Sequence, residues 1–223
     1  MKITLLQCTP NYLKIIWCAA RTCYSNRSPV DLWAEEPVEQ EMLRLARHIL
    51  KAGHLSVAEH CHMTFAVAGV SRTLLAQYSR HRIGVSLSVQ SQRYVSAASV
   101  KTGSMFRFVI PPGVDADPNA RVEFLHQLET AQGAYDRLLE MGIKKEDARF
   151  VLPGGAETNF VTSLNLRSFL DVYQKRAMVA HAQWEIKDML REMARLLIAR
   201  EPWLGEFLPL TSDMPENSHK INV

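Results

Sequence analysis

No two of the four cysteines, Cys8, Cys18, Cys23 and Cys61, form a Cys-x-x-Cys pair. In a chain of 223 residues that spacing speaks against a disulfide framework or a structural zinc site and suits a reducing, cytoplasmic compartment. No window approaches 18 apolar residues, so no membrane span is expected. The N-terminus carries one lysine and a short apolar run, residues 3–6, with no signal-peptide h-region. G-x-G-x-x-G and G-x-x-x-x-G-K-[ST] are both missing, which excludes dinucleotide binding in the Rossmann manner and phosphate binding by a P-loop. G-x-S-x-G and H-E-x-x-H are missing too, so neither a nucleophile elbow nor a zincin site is expected. Repeats and low-complexity blocks are absent.

Charge of either sign is not in excess. The 26 basic and 23 acidic residues leave a net charge of +3 and a pI near 8.7, which does not imply nucleic acid. A hydrophobic fraction of 47% is enough for a real core in one domain. Residues 1–208 are read as that domain and 209–223 as a loosely held tail.

What the sequence does have is concentrated in residues 77–94, Q-Y-S-R-H-R-I-G-V-S-L-S-V-Q-S-Q-R-Y. Three arginines, one histidine, three glutamines and four serines share eighteen positions there. Arginine is a permanent cation with a planar fork of donors suited to phosphate or carboxylate. From Arg80 to Tyr94 no Asp or Glu is available to pair with it. A phosphorylated metabolite or nucleotide fits this stretch better than duplex nucleic acid. Arg149, Arg167 and Arg176 lie at other element ends and extend the set.

Periodicity places a strand at 2–7 and helices at 11–21 and 37–52, with 22–36 irregular. Residues 54–62 form a polar connection before a strand at 63–70. Ser71 caps a helix running to about 82, on which Gln77, Arg80 and His81 share a face. A Ser/Gln-rich loop follows Gly84, then a strand at 105–110. Asp117-Pro118 opens a long helix to about 141. A turn at 153–155, a strand at 160–164 and helices at 165–176 and 181–200 complete the chain. Strands and helices alternate irregularly, which predicts an α+β fold: a central, mostly antiparallel sheet with flanking helices.

His54, His60 and His62, with Glu59, raise a metal-dependent hydrolase as one alternative, although their spacing matches no zinc geometry. An arginine-rich nucleic-acid-binding module is the other. Cys23 and Cys61 lack an activating context. Ser91 could act as a nucleophile with His81 as its base, or donate a hydrogen bond to a phosphate.

Residues 80–94 resemble the R-H-R-x7-S signature of the flavin-dependent thymidylate synthases. Residues 19–24 (A-A-R-T-C-Y), 53–60 (G-H-L-S-V-A-E-H), 148–153 (A-R-F-V-L-P), 165–170 (N-L-R-S-F-L) and 182–186 (A-Q-W-E-I) resemble further segments of that family, in family order. The resemblance implies reductive methylation of dUMP to dTMP, with methylenetetrahydrofolate as carbon donor and NADPH reducing a bound FAD. It implies a homotetramer with shared active sites, and no metal, membrane or nucleic-acid partner. By motif position Gln77, Arg80, Ser91, Gln92, Arg93, Arg149 and Arg176 take the nucleotide. Ser56, Glu59, Arg80, His81, Arg82, Asn165 and Arg167 take the flavin, and Arg176 is the catalytic candidate, with Ser91 the other. Two spacings depart from the family. Eight residues, not seven, separate Arg82 from Ser91, and Arg176 stands six residues before Ala182 rather than five. The second leaves open whether Lys175 or Arg176 reaches the phosphate.

Overall fold

The computed structural model describes residues 1–210, so the expected tail at 209–223 lies, from 211 on, outside the described residues. The elements in order are β1 (Lys2–Cys8), α1 (Tyr12–Thr22), α2 (Pro29–Ala34), α3 (Glu39–Lys51), a 3-10 turn (Leu55–His60), β2 (His62–Ser71), α4 (Arg72–Tyr78) and β3 (Val85–Val89). Then come α5 (Ser99–Thr102), α6 (Pro112–Asp115), α7 (Pro118–Glu140), α8 (Lys145–Ala148), a 3-10 turn (Arg149–Val151), β4 (Glu157–Asn165), α9 (Leu166–Arg176), α10 (Trp184–Ile198) and a last 3-10 turn (Pro202–Glu206). The four strands form one antiparallel sheet in the order β1-β2-β4-β3, so the architecture is α+β with flanking helices.

Packing divides the chain into two compact units. The first holds Met1–Lys2, Val67–Arg80 and Ser88–Val161; the second holds Ile3–Ala66, His81–Leu87 and the chain from Thr162 on. In the first unit α7 presents Leu128 and Tyr135, which are buried with Phe106, Ala98, Ala148 and Ala156. Tyr78 stacks on Phe160 with ring centroids 5.5 Å apart. A buried Gln132 binds the segment before α6 to α7: its Oε1 accepts from the Phe106 N–H at 2.8 Å and its Nε2 donates to the Ala97 carbonyl at 3.0 Å. In the second unit Phe65, Phe169 and Tyr173 run in aromatic contact, at 6.3 and 6.0 Å. Ile16, Leu50, Met63, Met189 and Leu197 are fully buried beside α1, α3 and α10 positions of the same period. Each such side chain contributes about 1.5–3 kcal/mol by leaving water.

Several boundaries differ from the sequence expectation. Residues 22–36 are not all irregular, because Ser28 accepts from the Asp31 N–H and Pro29 opens α2. α3 begins at Glu39 behind Val38, so Pro37 lies ahead of the helix rather than in its first turn. The Ser71 cap is present, yet α4 stops at Tyr78 instead of 82. Past Tyr78 come Ser79, Arg80, His81 and Arg82, none apolar, so a further turn would have nothing to bury. Gln77, Arg80 and His81 therefore do not share a helix face. Residues 85–89, read as loop, form β3, with Val85, Leu87 and Val89 half-buried and the serines between them exposed. That is a period of two written in serine rather than threonine or tyrosine. The strand expected at 105–110 is a single antiparallel bridge, Phe108 to Ala156.

Candidate functional site

In the first unit, α4 and the turn that follows Arg149 are tied backbone to backbone. The Arg72 N–H donates to the Ala156 carbonyl and the Thr73 N–H to the Gly154 carbonyl, both at 3.0 Å. The Thr73 hydroxyl reaches the same Gly154 carbonyl at 3.1 Å. A Cβ on Gly154 would stand 2.6 Å from that hydroxyl oxygen, so a side chain there would displace the hydroxyl. This seam joins the segments that carry Arg72 and Arg149. Arg149 is oriented by its Nε–H, which donates to the Glu146 carbonyl at 3.0 Å. Burial, and then the charge of Arg149, hold the Arg72 guanidinium below the usual arginine value. Neither arginine has an ion-pair partner among the described residues. No Asp or Glu stands in the sequence between Glu59 and Asp115. Two half-buried like charges without a carboxylate form a site that an anion would relieve.

Arg93 is treated differently. The fold supplies the carboxylate its own segment lacks: Arg93 Nε lies 2.6 Å from Glu146 Oε2, with the arginine side chain 58% exposed. Its guanidinium also sits 5.6 Å from the Tyr94 ring centroid. Ser91 Oγ accepts from the Arg93 N–H at 3.1 Å and the Ser91 carbonyl from the Val95 N–H at 2.9 Å. The hydroxyl thus closes a turn and keeps its proton for a ligand. Ser91 and Gln92 line a cavity of about 370 Å³ with Gln90, Asn159, Phe106 and Thr158. The Thr158 hydroxyl there is buried without a partner. Gln77 is half-buried in the last turn of α4, and Arg80 is exposed just beyond it.

In the second unit, Asn165 caps α9 by accepting from the Ser168 N–H at 2.8 Å. Two residues after Asn165, Arg167 Nη1 pairs with Glu59 Oε1 at 2.5 Å. Gly84 has φ +64°, and a Cβ there would stand 2.2 Å from Ser168 Oγ and 3.1 Å from Asn165 Nδ2. Gly84 thus makes a left-handed turn seated on the start of α9. Glu59, Gly84, Asn165, Arg167, Ser168 and Lys175 line a cavity of about 320 Å³. Ser56 and Arg82 are exposed. At the other end of α9, Arg176 Nε–H donates to His81 Nε2 at 3.0 Å, while Lys175 Nζ donates to Asp171 Oδ2 at 2.9 Å. Of the two cations in doubt, Arg176 is the one that meets the R-H-R segment.

The expected nucleotide residues Gln77, Arg80, Ser91, Gln92, Arg93 and Arg149 all fall in the first unit, with Arg176 the exception. The expected flavin residues Ser56, Glu59, His81, Arg82, Asn165 and Arg167 all fall in the second, with Arg80 the exception. Sequence reasoning missed Arg72, Glu146, Thr158 and the close packing of Gly84. Only Arg72 had a local signal, its place directly after a capping serine. Burial pushes the Cys61 thiol up to about 12, and it raises Cys8 as well. Neither thiol is a ready nucleophile. Among the described residues no group of three or more His, Cys, Asp or Glu side chains could hold a metal ion, and no helix is long and apolar enough to cross a membrane.

Comparison with known proteins identifies the family. The profile of the thymidylate synthase complementing protein family matches residues 4–203. A flavin-dependent thymidylate synthase of Clostridium tetani is 36% identical over 209 residues, covering 86% of this chain and 80% of the relative. That of Geobacter sulfurreducens is 38% identical over 197 residues, covering 88% and 82%. A solved structure, the UMP/dUMP methylase PolB of Streptomyces cacaoi bound with 5-Br dUMP, superposes with a TM-score of 0.76 at 22% identity, covering 93% of this chain and 95% of the other. At that identity the likeness concerns the fold. The profile match and the two relatives together establish that this chain belongs to the flavin-dependent thymidylate synthase family.

Proposed function

We propose that the protein methylates dUMP reductively to dTMP, with methylenetetrahydrofolate as carbon donor and NADPH as reductant of a bound FAD. It works as a homotetramer with shared active sites. Reduced FAD, when bound, supplies the hydride. The residues at the start of α9 fit part of such a cofactor. Arg167, and Lys175 from the far end of the helix, offer cations and Asn165 and Ser168 neutral groups around a cavity at the small end of ligand pockets, with Gly84 packed against Ser168 and Asn165.

The observation that carries the nucleotide reading is the Arg72–Arg149 pair, two guanidiniums without a carboxylate. They bind the 5′-phosphate dianion, for which charge-assisted hydrogen bonds are the strongest ordinary contacts. Arg80, Arg93, Gln77 and Gln92 add donors around the phosphate and sugar. Ser91 donates its hydroxyl proton as a binding group and performs no nucleophilic attack. Arg176 is the candidate for stabilising negative charge on the uracil ring as C5 becomes nucleophilic.

The test is the visible spectrum of the purified protein. Yellow protein that bleaches with NADPH, and recovers its colour when dUMP and methylenetetrahydrofolate are added together, supports the reading. Colourless protein that takes up no FAD would sink it.

A further inference from the structure

The turn that carries Ser91, Gln92 and Arg93 is suspended between two anchors of the first unit. On its leading side β4 holds it. The Gln90 N–H donates to the Asn159 carbonyl at 2.9 Å, and Asn159 Nδ2 donates to Gln90 Oε1 at 2.7 Å. On its trailing side the chain has little structure of its own. It contains one four-residue helix, α5, ended by Gly103 at φ +70°. A helix that short does not hold itself in place.

α7 supplies the second anchor through two side chains one turn apart, Gln132 and Asp136. Gln132 is 7% exposed. Its Oε1 accepts from the Phe106 N–H at 2.8 Å, and its Nε2 donates to the Ala97 carbonyl at 3.0 Å and to both Asp136 carboxylate oxygens at 3.0 Å. Asp136 Oδ1 accepts from the Ser99 N–H at 3.1 Å, and its Oδ2 accepts from the Ser99 hydroxyl at 2.7 Å. Burial raises the Asp136 carboxyl, but the hydrogen bonds from Ser99 and Gln132 outweigh it and hold the group below its ordinary value.

The grip lies close to the binding turn. Ala97 stands two residues beyond Val95, whose N–H closes on the Ser91 carbonyl at 2.9 Å. Ala97 and Phe106 also line the 370 Å³ cavity that Ser91 and Gln92 face. Adhesion alone does not call for a polar pair here, because Leu128 and Tyr135 already give α7 its buried apolar contacts. What an amide and a carboxylate add is direction, since each partner must meet them at a fixed distance and angle.

We infer that Gln132 and Asp136 are positioning residues for nucleotide binding: a buried clamp on α7 that fixes residues 97–106 and, through Val95, the Ser91 turn. This rests on the proposed function for the identity of the ligand as dUMP.

The experiment uses the full chain loaded with FAD, with dUMP as probe, at a temperature where every variant is fully folded. Gln132→Met keeps the side-chain length and removes all of the amide's bonds. It is expected to weaken dUMP binding about tenfold, with flavin content unchanged. Asp117→Ala is the control for stability, since it removes the cap of the same helix far from the clamp. It leaves dUMP affinity within about twofold. Combining Q132M with Ser91→Ala costs less than the two losses added, because the clamp acts through the turn that Ser91 forms. Ser99→Ala removes one bond at a half-buried position and asks the same question if Q132M does not fold, with a loss of about threefold. Unchanged dUMP affinity in the clamp variants, a loss equal to that in D117A, strict additivity with S91A, or a matching loss of FAD would each overturn the inference. Wild-type protein that binds no dUMP would remove the proposed function instead. Amide exchange then still decides the clamp: the Val95 N–H exchanges faster in Q132M, or in S99A, than in D117A, and equal rates would overturn it.

Discussion

The arginines of the first unit and those of the second are neutralised in different ways. In the first, Arg72 and Arg149 have no carboxylate partner among the described residues and the charge of Arg149 lowers Arg72, while Arg93 pairs with Glu146, Arg107 with Glu157 and Arg121 with Asp115. In the second, Arg167 is paired with Glu59 and Lys175 with Asp171, and Arg176 Nε–H donates to His81 Nε2. A dianion entering the first unit relieves an existing repulsion. A ligand entering the second meets charges that are already mostly satisfied, so shape and neutral donors count for more there. A difference of that kind suits a small phosphate monoester on one side and a large cofactor, held by many weak contacts, on the other.

The comparison can be broken at its strongest point. Arg72→Gln and Arg149→Gln each remove a charge-assisted phosphate contact, a loss of about 1.5–3 kcal/mol, or roughly tenfold to over a hundredfold in dUMP affinity. Deoxyuridine, which lacks the phosphate, should bind both variants as it binds the wild type. Calorimetric titration with the two ligands checks this, and an unchanged dUMP affinity in Arg72→Gln would remove Arg72 from the site.

Gly84→Ala probes the other unit. The new Cβ meets Ser168 Oγ at a separation no real Cβ shows, at a positive φ, which costs on the order of 1–3 kcal/mol. Flavin content after purification should fall while dUMP affinity holds. Equal loss of both ligands would mean that the two units do not divide the binding as described.

Two caps supply a matched pair. Asn165→Ala and Asp117→Ala each remove a side chain that accepts from the first turn of a helix, and each should destabilise by about 1 kcal/mol in thermal unfolding. Only the first should also weaken FAD, because Asn165 lines the cavity at α9 and Asp117 lines neither cavity.

The smallest effect belongs to Glu146→Gln. The Arg93–Glu146 pair is largely exposed, so the ion pair itself is worth at most about 1 kcal/mol and is screened by salt. Freeing Arg93 should raise dUMP affinity by no more than about fivefold, with the gain fading at high salt. A fall in affinity would show that Glu146 serves the site by orienting Arg93 rather than by competing for it.

Much of the fold was legible where the signal is local. Ser71, Asp117 and Asn165 announced their helices because a cap bonds within three residues of itself. Ser28 carries the same signal for α2, inside the stretch 22–36 read as irregular. The failures at 79–82 and 85–89 share a cause. Polar side chains there hid a strand whose half-buried valines and leucine were the real pattern, and a basic run looked like a continuing helix. The strand expected at 105–110 failed for the opposite reason, since its alternating residues pair with β4's leading edge at one bridge only.

The site divides along the same line. By itself the sequence determined which side chains are available: an acid-free stretch with its arginines, ordered motifs that assign the family, and a glycine where one extra residue enters. Only the tertiary structure decided which of those charges are left over. Glu146 reaches Arg93, Glu59 reaches Arg167 across 108 residues, and His81 reaches Arg176 across 95, while Arg72 and Arg149 find no carboxylate among the described residues. The physical reason is that a cap is decided by chain connectivity, whereas a charge is neutralised by whatever lies within a few ångströms, and Coulomb attraction takes no account of how much chain lies between.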